Sequence, residues 1–270
     1  MRVKESEAEI NGINIYYREY GAGEPLLMIM GLSANADWWG DRFIKRFAEL
    51  YHVVAYDNRG AGRSGKPEGP YPIPLMASDA IGLMDHLGWD SAHIMGASMG
   101  GMIAQEIALE YPDRVRRLVL LCTNCGGKEQ VLAAPEVYNL LHTPREGLSD
   151  EDMARLSLPL LFPQRYIEEN PQLMEEIVKN YLIAPIEPKC FVWQITGVST
   201  WSSHSRLAEL RHPTLIAAGS EDVLIPPENS RILAEAIPDS RLVEMEGTGH
   251  GFQAMCPDRL AEEVLSFLES

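Results

Sequence analysis

The chain has 270 residues, of which 46% are hydrophobic and 23% are charged. This balance is typical of a packed globular protein and excludes a disordered or fibrous one. The 39 acidic and 23 basic side chains leave a formal net charge of −16, which would repel a nucleic-acid backbone or an anionic membrane surface. We therefore expect neither a nucleic-acid nor a membrane partner.

The sequence favours a soluble, cytoplasmic protein. Its apolar runs are far shorter than the roughly 20 residues that a transmembrane helix needs. Four of the six residues at positions 2–7 are charged, where a signal peptide would need apolar side chains. Four cysteines are too few for a disulfide scaffold, so we expect reduced thiols. The sequence is compatible with a homodimer but does not determine the oligomeric state.

Two kinds of apolar pattern alternate along most of the chain. In the stretch 9–20, polar and apolar residues alternate on both sides of Asn11-Gly12. This pattern predicts an antiparallel hairpin. Short apolar runs then predict strands buried on both faces, at 26–30, 53–56, 93–95, 115–121, 214–218 and 241–245. Helical patterns separate them, at 38–50, 75–87, 99–110, 227–236 and 257–268. The alternation predicts a mostly parallel sheet with helices on both faces.

The alternation fails between positions 124 and 210, where apolar residues recur at helical spacing and prolines are frequent. We expect a helical insertion there, lying over the carboxyl edge of the sheet, where α/β proteins bind their ligands. The predicted domains are a first core part at 1–124, a helical cap at 125–206 and a second core part at 207–270.

The sequence around Ser98 is typical of a nucleophile. Gly96-Ala97-Ser98-Met99-Gly100 is Gly-x-Ser-x-Gly between a predicted strand and a predicted helix, the setting of a nucleophile elbow. Glycines allow the close backbone approach that such a sharp turn requires. The alternative is a serine that only caps the helix.

An acid and a histidine follow two later strands. Asp222 comes after the strand at 214–218, and His250 comes after the strand at 241–245. Serine, acid and histidine in this chain order, each at a strand's carboxyl end, are what a triad hydrolase requires. Ser98 would attack, His250 would transfer the proton and Asp222 would orient the imidazole. Glu221 is the competing acid.

The oxyanion of the tetrahedral intermediate would need hydrogen-bond donors. The predicted donors are the backbone N–H of Met99, at the helix start, and that of Leu32, in the loop after the strand at 26–30.

Together these motifs resemble those of the α/β-hydrolase family. The family's loop motif reads here as DNRGAGRS at 57–64. The resemblance covers about 10–125 and 207–268, and the insertion corresponds to the family's variable cap. The Gly31-Leu32 to Trp38-Trp39 stretch is similar to that of small carboxylesterases and 3-oxoadipate enol-lactonases. The sequence departs from the family at Met30, where a histidine is frequent.

The resemblance implies a serine carboxylesterase that needs no cofactor and cleaves small to medium esters through an acyl-enzyme. A lactonase of the 3-oxoadipate enol-lactonase type is an alternative. So are a C–C hydrolase or perhydrolase with the same triad, and a receptor that binds its ligand without turnover. A serine at position 98 argues against haloalkane dehalogenase and epoxide hydrolase chemistry, which uses an aspartate nucleophile.

Aromatic side chains are candidates for an apolar substrate pocket. We assign this role to Trp38, which follows the loop that carries Leu32 (the oxyanion loop), and to Trp193 and Trp201 in the insertion. A substrate with several carboxylates would need clustered arginines. The arginines of the insertion are widely spaced, which favours uncharged esters: Arg145, Arg155, Arg165 and Arg206.

Two further motifs are interpreted as structural. The CxxC at 122–125 follows an apolar strand and does not open a helix, as a redox pair would need. It also lacks the second close pair of a zinc site, and we expect no metal. The GxGxxG at 60–65 is not followed by a helix, so it offers no dinucleotide site.

Overall fold

The chain begins with an antiparallel hairpin, as predicted. In the computed structural model, which describes residues 3–144 and 147–270, strand β1 (Lys4–Ile10) pairs with strand β2 (Ile13–Tyr20). The turn residues Asn11 and Gly12 have φ angles of 50° and 77°, which the tight two-residue turns of hairpins require.

The hairpin continues into an eight-stranded sheet. The further strands are β3 (Glu24–Ile29), β4 (Tyr51–Tyr56), β5 (Ala92–Ala97), β6 (Val115–Leu121), β7 (Thr214–Gly219) and β8 (Ser240–Met245). Their order is β1-β2-β4-β3-β5-β6-β7-β8. Strand β2 is antiparallel to β4, and all pairs from β4 to β8 are parallel. The carboxyl ends of β3 to β8 therefore share one edge.

Helices cover both faces of this sheet, which confirms the predicted fold class. Strand residues alternate between two cores: Leu27 packs with α2 and α3 on one face, and Leu26 packs with α1 and α11 on the other. The helices are α1 (Asp41–Ala48), α2 (Ile73–His86), α3 (Met99–Glu110), α4 (Pro135–Leu141), α5 (Asp150–Leu161), α6 (Gln164–Glu169), α7 (Pro171–Ile183), α8 (Pro188–Ser199), α9 (Glu228–Ala236), α10 (Phe252–Met255) and α11 (Pro257–Glu269).

Helices α4 to α8 lie between β6 and β7 and form what we call the helical insertion. Prolines begin α4, α7 and α8, where a missing N–H costs nothing because the first turn has no partner for it. Pro159 instead lies inside α5, near its end. The insertion has a small core of its own, which includes Met153, Leu158 and Val178.

Candidate active site

Ser98 lies in a sharp turn between β5 and α3, with φ 55° and ψ −122°. An added Cβ on Gly96 would lie 2.1 Å from the Gly100 carbonyl oxygen, and one on Gly100 would lie 2.0 Å from the Ile29 oxygen. Only glycine fits at either position. The Ser98 side chain makes no capping hydrogen bond to α3, so the structure does not support the alternative of a helix-capping serine.

Asp222 and His250 form a buried hydrogen-bonded pair. The His250 Nδ1 and Asp222 Oδ2 atoms are 2.7 Å apart, and the residues are 6% and 3% exposed. The other carboxylate oxygen of Asp222 accepts the backbone N–H groups of Leu224 and Ile225, each at 2.9 Å. Three hydrogen bonds therefore fix this carboxylate against the imidazole.

Glu221, the competing acid, points elsewhere. Its carboxylate pairs with Arg165 at 2.5 Å on the surface. Its backbone N–H donates to the Thr248 carbonyl, and Ser220 Oγ accepts the Gly247 N–H, each at 2.8 Å. These bonds join the loops that follow β7 and β8, and so place Asp222 rather than Glu221 beside the histidine.

Ser98 and His250 open on one cavity of about 510 Å³ between the sheet edge and the helical insertion. Most of its wall is apolar, with side chains such as Met153, Leu160 and Ile177. Within residues 3–144 and 147–270, no Asp, Glu, Lys or Arg side chain lines it. Its volume and lining fit a small, uncharged organic molecule.

The predicted oxyanion donors, Leu32 and Met99, both line this cavity. Among the described residues, neither backbone N–H has an acceptor. A Cβ added to Gly31 would lie 2.8 Å from the Ser98 Cβ, so the loop after β3 packs directly on Ser98. The two amides are therefore free to bind an oxygen next to this serine.

The loop that carries Leu32 is anchored from two sides. Gln194 of α8, which is fully buried, accepts the Ser33 N–H and donates to the Arg59 carbonyl, both at 3.0 Å. From the core, Asn58 Nδ2 donates to the Met30 carbonyl at 2.9 Å. The role of Gln194 could not be predicted from the sequence, because a glutamine in a helix has no local signal that distinguishes it from a surface residue.

Asp57 holds the end of the same loop. Its carboxylate accepts the Ala36 N–H at 2.7 Å and the Arg63 N–H at 2.8 Å. Burial raises the pKa of this carboxyl, and the hydrogen bonds and the Arg63 charge oppose that rise. The DNRGAGRS stretch thus positions the loop that carries Leu32, the predicted oxyanion donor.

Of the three tryptophans assigned to the substrate pocket, only Trp38 lines the cavity. The prediction was wrong for the other two. Trp193 packs on Tyr71, with ring centroids 5.4 Å apart, and Trp201 Nε1 donates to a buried oxygen of Glu106 at 2.9 Å.

The phase of α8 explains the position of Trp193. Phe191, Ile195 and Val198 line the cavity, and their spacing places them on one face of the helix. At roughly 100° per residue, Trp193 points about 140–160° away from these three side chains. The cavity therefore takes its α8 lining from smaller side chains and from one phenylalanine.

The described arginines of the insertion are engaged away from the cavity. Arg155 pairs with Glu151 and Glu175, Arg165 pairs with Glu221, and Arg206 pairs with Glu106 and Glu110. Arg145 lies outside the described residues. No cluster of arginines is therefore present in the described part of the insertion to bind a polycarboxylate.

The two remaining motifs have structural surroundings. Cys122 and Cys125 are buried free thiols, and burial raises the pKa of both, which opposes thiolate chemistry. The loop at 60–65 is followed by a helix only at Ile73. In the described ranges, no group of His, Cys, Asp or Glu side chains could hold a metal ion. No helix there is long and apolar enough to cross a membrane.

Comparisons with known proteins agree with this fold. The profile of a family described as alpha/beta hydrolase fold matches residues 24–254. The chain is 32% identical to a protein of Azorhizobium caulinodans that is named as a carbamate hydrolase, RutD, over 94% of each chain. The enol-lactonase from Burkholderia xenovorans LB400 superposes with a TM-score of 0.88, at 25% identity over 98% of this chain and 100% of that one. Est816, described as an N-acyl homoserine lactone degrading enzyme, has a TM-score of 0.82 at 30% identity over 97% and 100%.

Proposed function

The chain belongs to the α/β-hydrolase family, and on that premise we propose that it is a serine hydrolase that cleaves small to medium, uncharged carboxylic esters through an acyl-enzyme. The observation that carries this proposal is the position of Ser98, which opens with His250 on an apolar cavity without described charged side chains.

The acylation step follows from the proton affinities of the Ser98 hydroxyl and the His250 imidazole. A serine hydroxyl is a weak nucleophile at neutral pH, so it needs a base that accepts its proton as it attacks the ester carbonyl. His250 would accept that proton on Nε2, because its Nδ1 faces Asp222 at 2.7 Å. Asp222 would hold this tautomer and stabilise the imidazolium, which then protonates the departing alkoxide.

The Leu32 and Met99 amides would stabilise the oxyanion that forms in this attack. Each such donor contributes roughly 3–4 kcal/mol where one has been removed by mutation. Deacylation repeats the sequence with water: His250 takes a proton from the water, the hydroxide adds to the acyl carbon, and the Ser98 oxygen leaves with the returned proton. The products are a carboxylic acid and an alcohol.

The cavity supports uncharged substrates over polycarboxylates. A substrate that carries even one free carboxylate, such as 3-oxoadipate enol-lactone, would bury its charge without a cationic partner among the described lining residues, which is costly in an apolar site. Uncharged lactones are the second candidate class, because they need the same serine, base and oxyanion donors. The similarity to Est816 favours testing them.

The decisive experiment compares wild type with Ser98→Ala on p-nitrophenyl esters from acetate to decanoate. We expect an initial burst and turnover in the wild type, loss of both in the variant, and an optimum chain length that reports the size of the cavity. An uncharged lactone series, a diketone and a peroxide-dependent assay test the lactonase, C–C hydrolase and perhydrolase alternatives in parallel. Equal rates for both proteins on every ester would refute the proposal, and failure of a fluorophosphonate to label Ser98 would favour a receptor.

The state of the cysteines supports a proposal about the compartment. All four cysteines are free in the structure, and reduced cysteines are typical of the cytosol. We therefore propose that the enzyme acts in the cytoplasm.

A further inference from the structure

The end of helix α5, in the helical insertion, packs against the residues on both sides of His250. A Cβ added to Gly249 would lie 2.8 Å from the Leu161 carbonyl oxygen, and one added to Gly251 would lie 2.7 Å from the Phe162 ring. Neither glycine has a positive φ angle. Glycine is therefore needed at both positions for the close approach of the insertion, and not for the backbone angle.

A hydrogen bond reinforces this contact. The Leu161 carbonyl accepts the Gly251 N–H at 2.8 Å. Helix α5 ends at Leu161 because the residue before a proline favours extended backbone, and Phe162, which precedes Pro163, has φ −132° and ψ 140°. The last carbonyls of a helix have no partner within it. The Phe-Pro pair thus leaves the Leu161 carbonyl free to bind the segment that carries His250.

The two amides that flank His250 have unequal partners. The Gly249 N–H faces the thioether sulfur of Met255 at 3.4 Å, and a thioether is a weak acceptor. The Gly251 N–H has a carbonyl partner, and that carbonyl belongs to the insertion. The insertion therefore supplies the stronger of the two backbone hydrogen bonds next to the proposed base.

The role of the base makes its position critical. His250 must keep Nδ1 at 2.7 Å from Asp222, which lies in the loop after β7, and must also present Nε2 to Ser98. A displacement of about 1 Å in a catalytic group can lower the rate about a hundredfold. A contact that fixes the segment 249–251 relative to the core therefore acts on catalysis through His250.

We propose that Leu161 and Phe162 are positioning residues for His250. The Leu161 carbonyl and the Phe162 ring hold the segment 249–251, so the base is in place only while the helical insertion is packed on the core. This inference rests on the proposed hydrolase function and deepens it, because it makes the insertion a support of the base as well as a wall of the cavity.

The variant Gly251→Ala tests this contact. Its methyl group would lie 2.7 Å from the Phe162 ring but 3.4 Å, an ordinary contact distance, from the Leu161 oxygen. The ring is buried and stacks on Tyr166, so we expect the histidine segment to shift and kcat for the best p-nitrophenyl ester to fall about tenfold or more. Gly251→Ala combined with Phe162→Leu lacks the ring atoms that the methyl group meets. This double variant should recover about threefold or more in kcat over Gly251→Ala alone.

Two single variants serve as controls. Phe162→Leu gives the baseline for the double variant, because Phe162 also lines the cavity. Gln164→Ala changes an exposed residue of the same part of the insertion and should leave kcat unchanged. A Gly251→Ala enzyme within about threefold of wild type, or a double variant no faster than Gly251→Ala, would overturn the inference.

Proton NMR separates this inference from the hydrolase proposal, because it needs no substrate. The Nδ1 proton that His250 donates to Asp222 gives a downfield resonance that reports on this hydrogen bond. We expect the resonance to shift or broaden in Gly251→Ala and to return in the double variant, and an unchanged resonance in Gly251→Ala would refute the positioning role. Absence of turnover in the wild type, or turnover that survives Ser98→Ala, would instead refute the hydrolase proposal.

Discussion

The exchange Asp222→Asn tests the proposed triad, because the surroundings of Asp222 dictate how an asparagine must orient there. The Leu224 and Ile225 N–H groups both donate to one carboxylate oxygen. An amide NH₂ in that place would face two donors, so the amide oxygen must stay there. The NH₂ group then faces His250 in place of the second carboxylate oxygen, which lies 2.7 Å from Nδ1.

That orientation reverses the tautomer of the imidazole. The asparagine donates to Nδ1, the proton of the ring moves to Nε2, and Nε2 can no longer accept the proton of Ser98. In a serine-protease triad, the same exchange lowers kcat about ten-thousandfold with the geometry intact. We expect a loss of that order here. Loss of one charge-assisted hydrogen bond should lower the free energy of unfolding by about 1–3 kcal/mol.

The assay is steady-state hydrolysis of the best p-nitrophenyl ester, with urea unfolding as the check on stability. Glu221→Gln is the matched control, because Glu221 is the adjacent acid and pairs with Arg165 on the surface. It should keep activity within about twofold, since exposed ion pairs contribute little. An Asp222→Asn enzyme within tenfold of wild type, or a Glu221→Gln enzyme that loses as much, would refute the assignment of the acid.

Three further predictions concern the oxyanion loop, the cavity and the buried thiols. Gln194→Leu should lower kcat at least tenfold and also lower the melting temperature, because it leaves the Ser33 N–H and the Arg59 carbonyl unpaired, at about 1–3 kcal/mol for each buried group. Thr196→Ala, at an exposed position of the same helix, should change neither quantity, and an unchanged kcat in Gln194→Leu would contradict the anchoring role. The 4-nitrophenyl monoester of succinic acid should have a kcat/KM at least tenfold below that of the butanoate, because its carboxylate must lose water in an apolar cavity, and comparable values would reveal a cation at the site. At pH 7.5, iodoacetamide should alkylate Cys125, which does not line the cavity, only under denaturing conditions, since burial raises the pKa of its thiol. Alkylated Cys125 peptides from the native protein, detected by mass spectrometry, would contradict this prediction.

The sequence was sufficient for those parts of the site that depend on local geometry. A strand that turns sharply into a helix requires glycines at fixed distances from the nucleophile, and Gly96 and Gly100 are visible without a structure. The acid and the histidine were recognisable because each directly follows a strand, and strands of a parallel sheet end at the same edge. The sequence already favoured Asp222 over Glu221, and the coordinates add that the Asp222 carboxylate, not that of Glu221, lies 2.7 Å from the His250 imidazole.

The cavity wall could not be predicted in the same way. Aromatic and aliphatic side chains lie on more than one face of α8, so composition does not reveal which face meets the cavity, and Trp193 was misassigned for that reason. The contact between Gln194 and Ser33 spans 161 positions of the chain. No periodicity or motif carries information over such a distance, since it arises only when the insertion packs on the core.

The bond from Gln194 to the oxyanion loop limits how this enzyme can be recombined with its relatives. The proposed catalytic groups lie in loops at the sheet edge, and much of the cavity wall belongs to the helical insertion. Exchange of whole insertions between homologues is therefore an obvious way to change the substrate. A transplanted insertion without an amide at the position of Gln194 would leave the receiving loop unsupported beside Ser98. We therefore expect functional chimeras to carry a glutamine there, or to need one restored before they turn over any substrate.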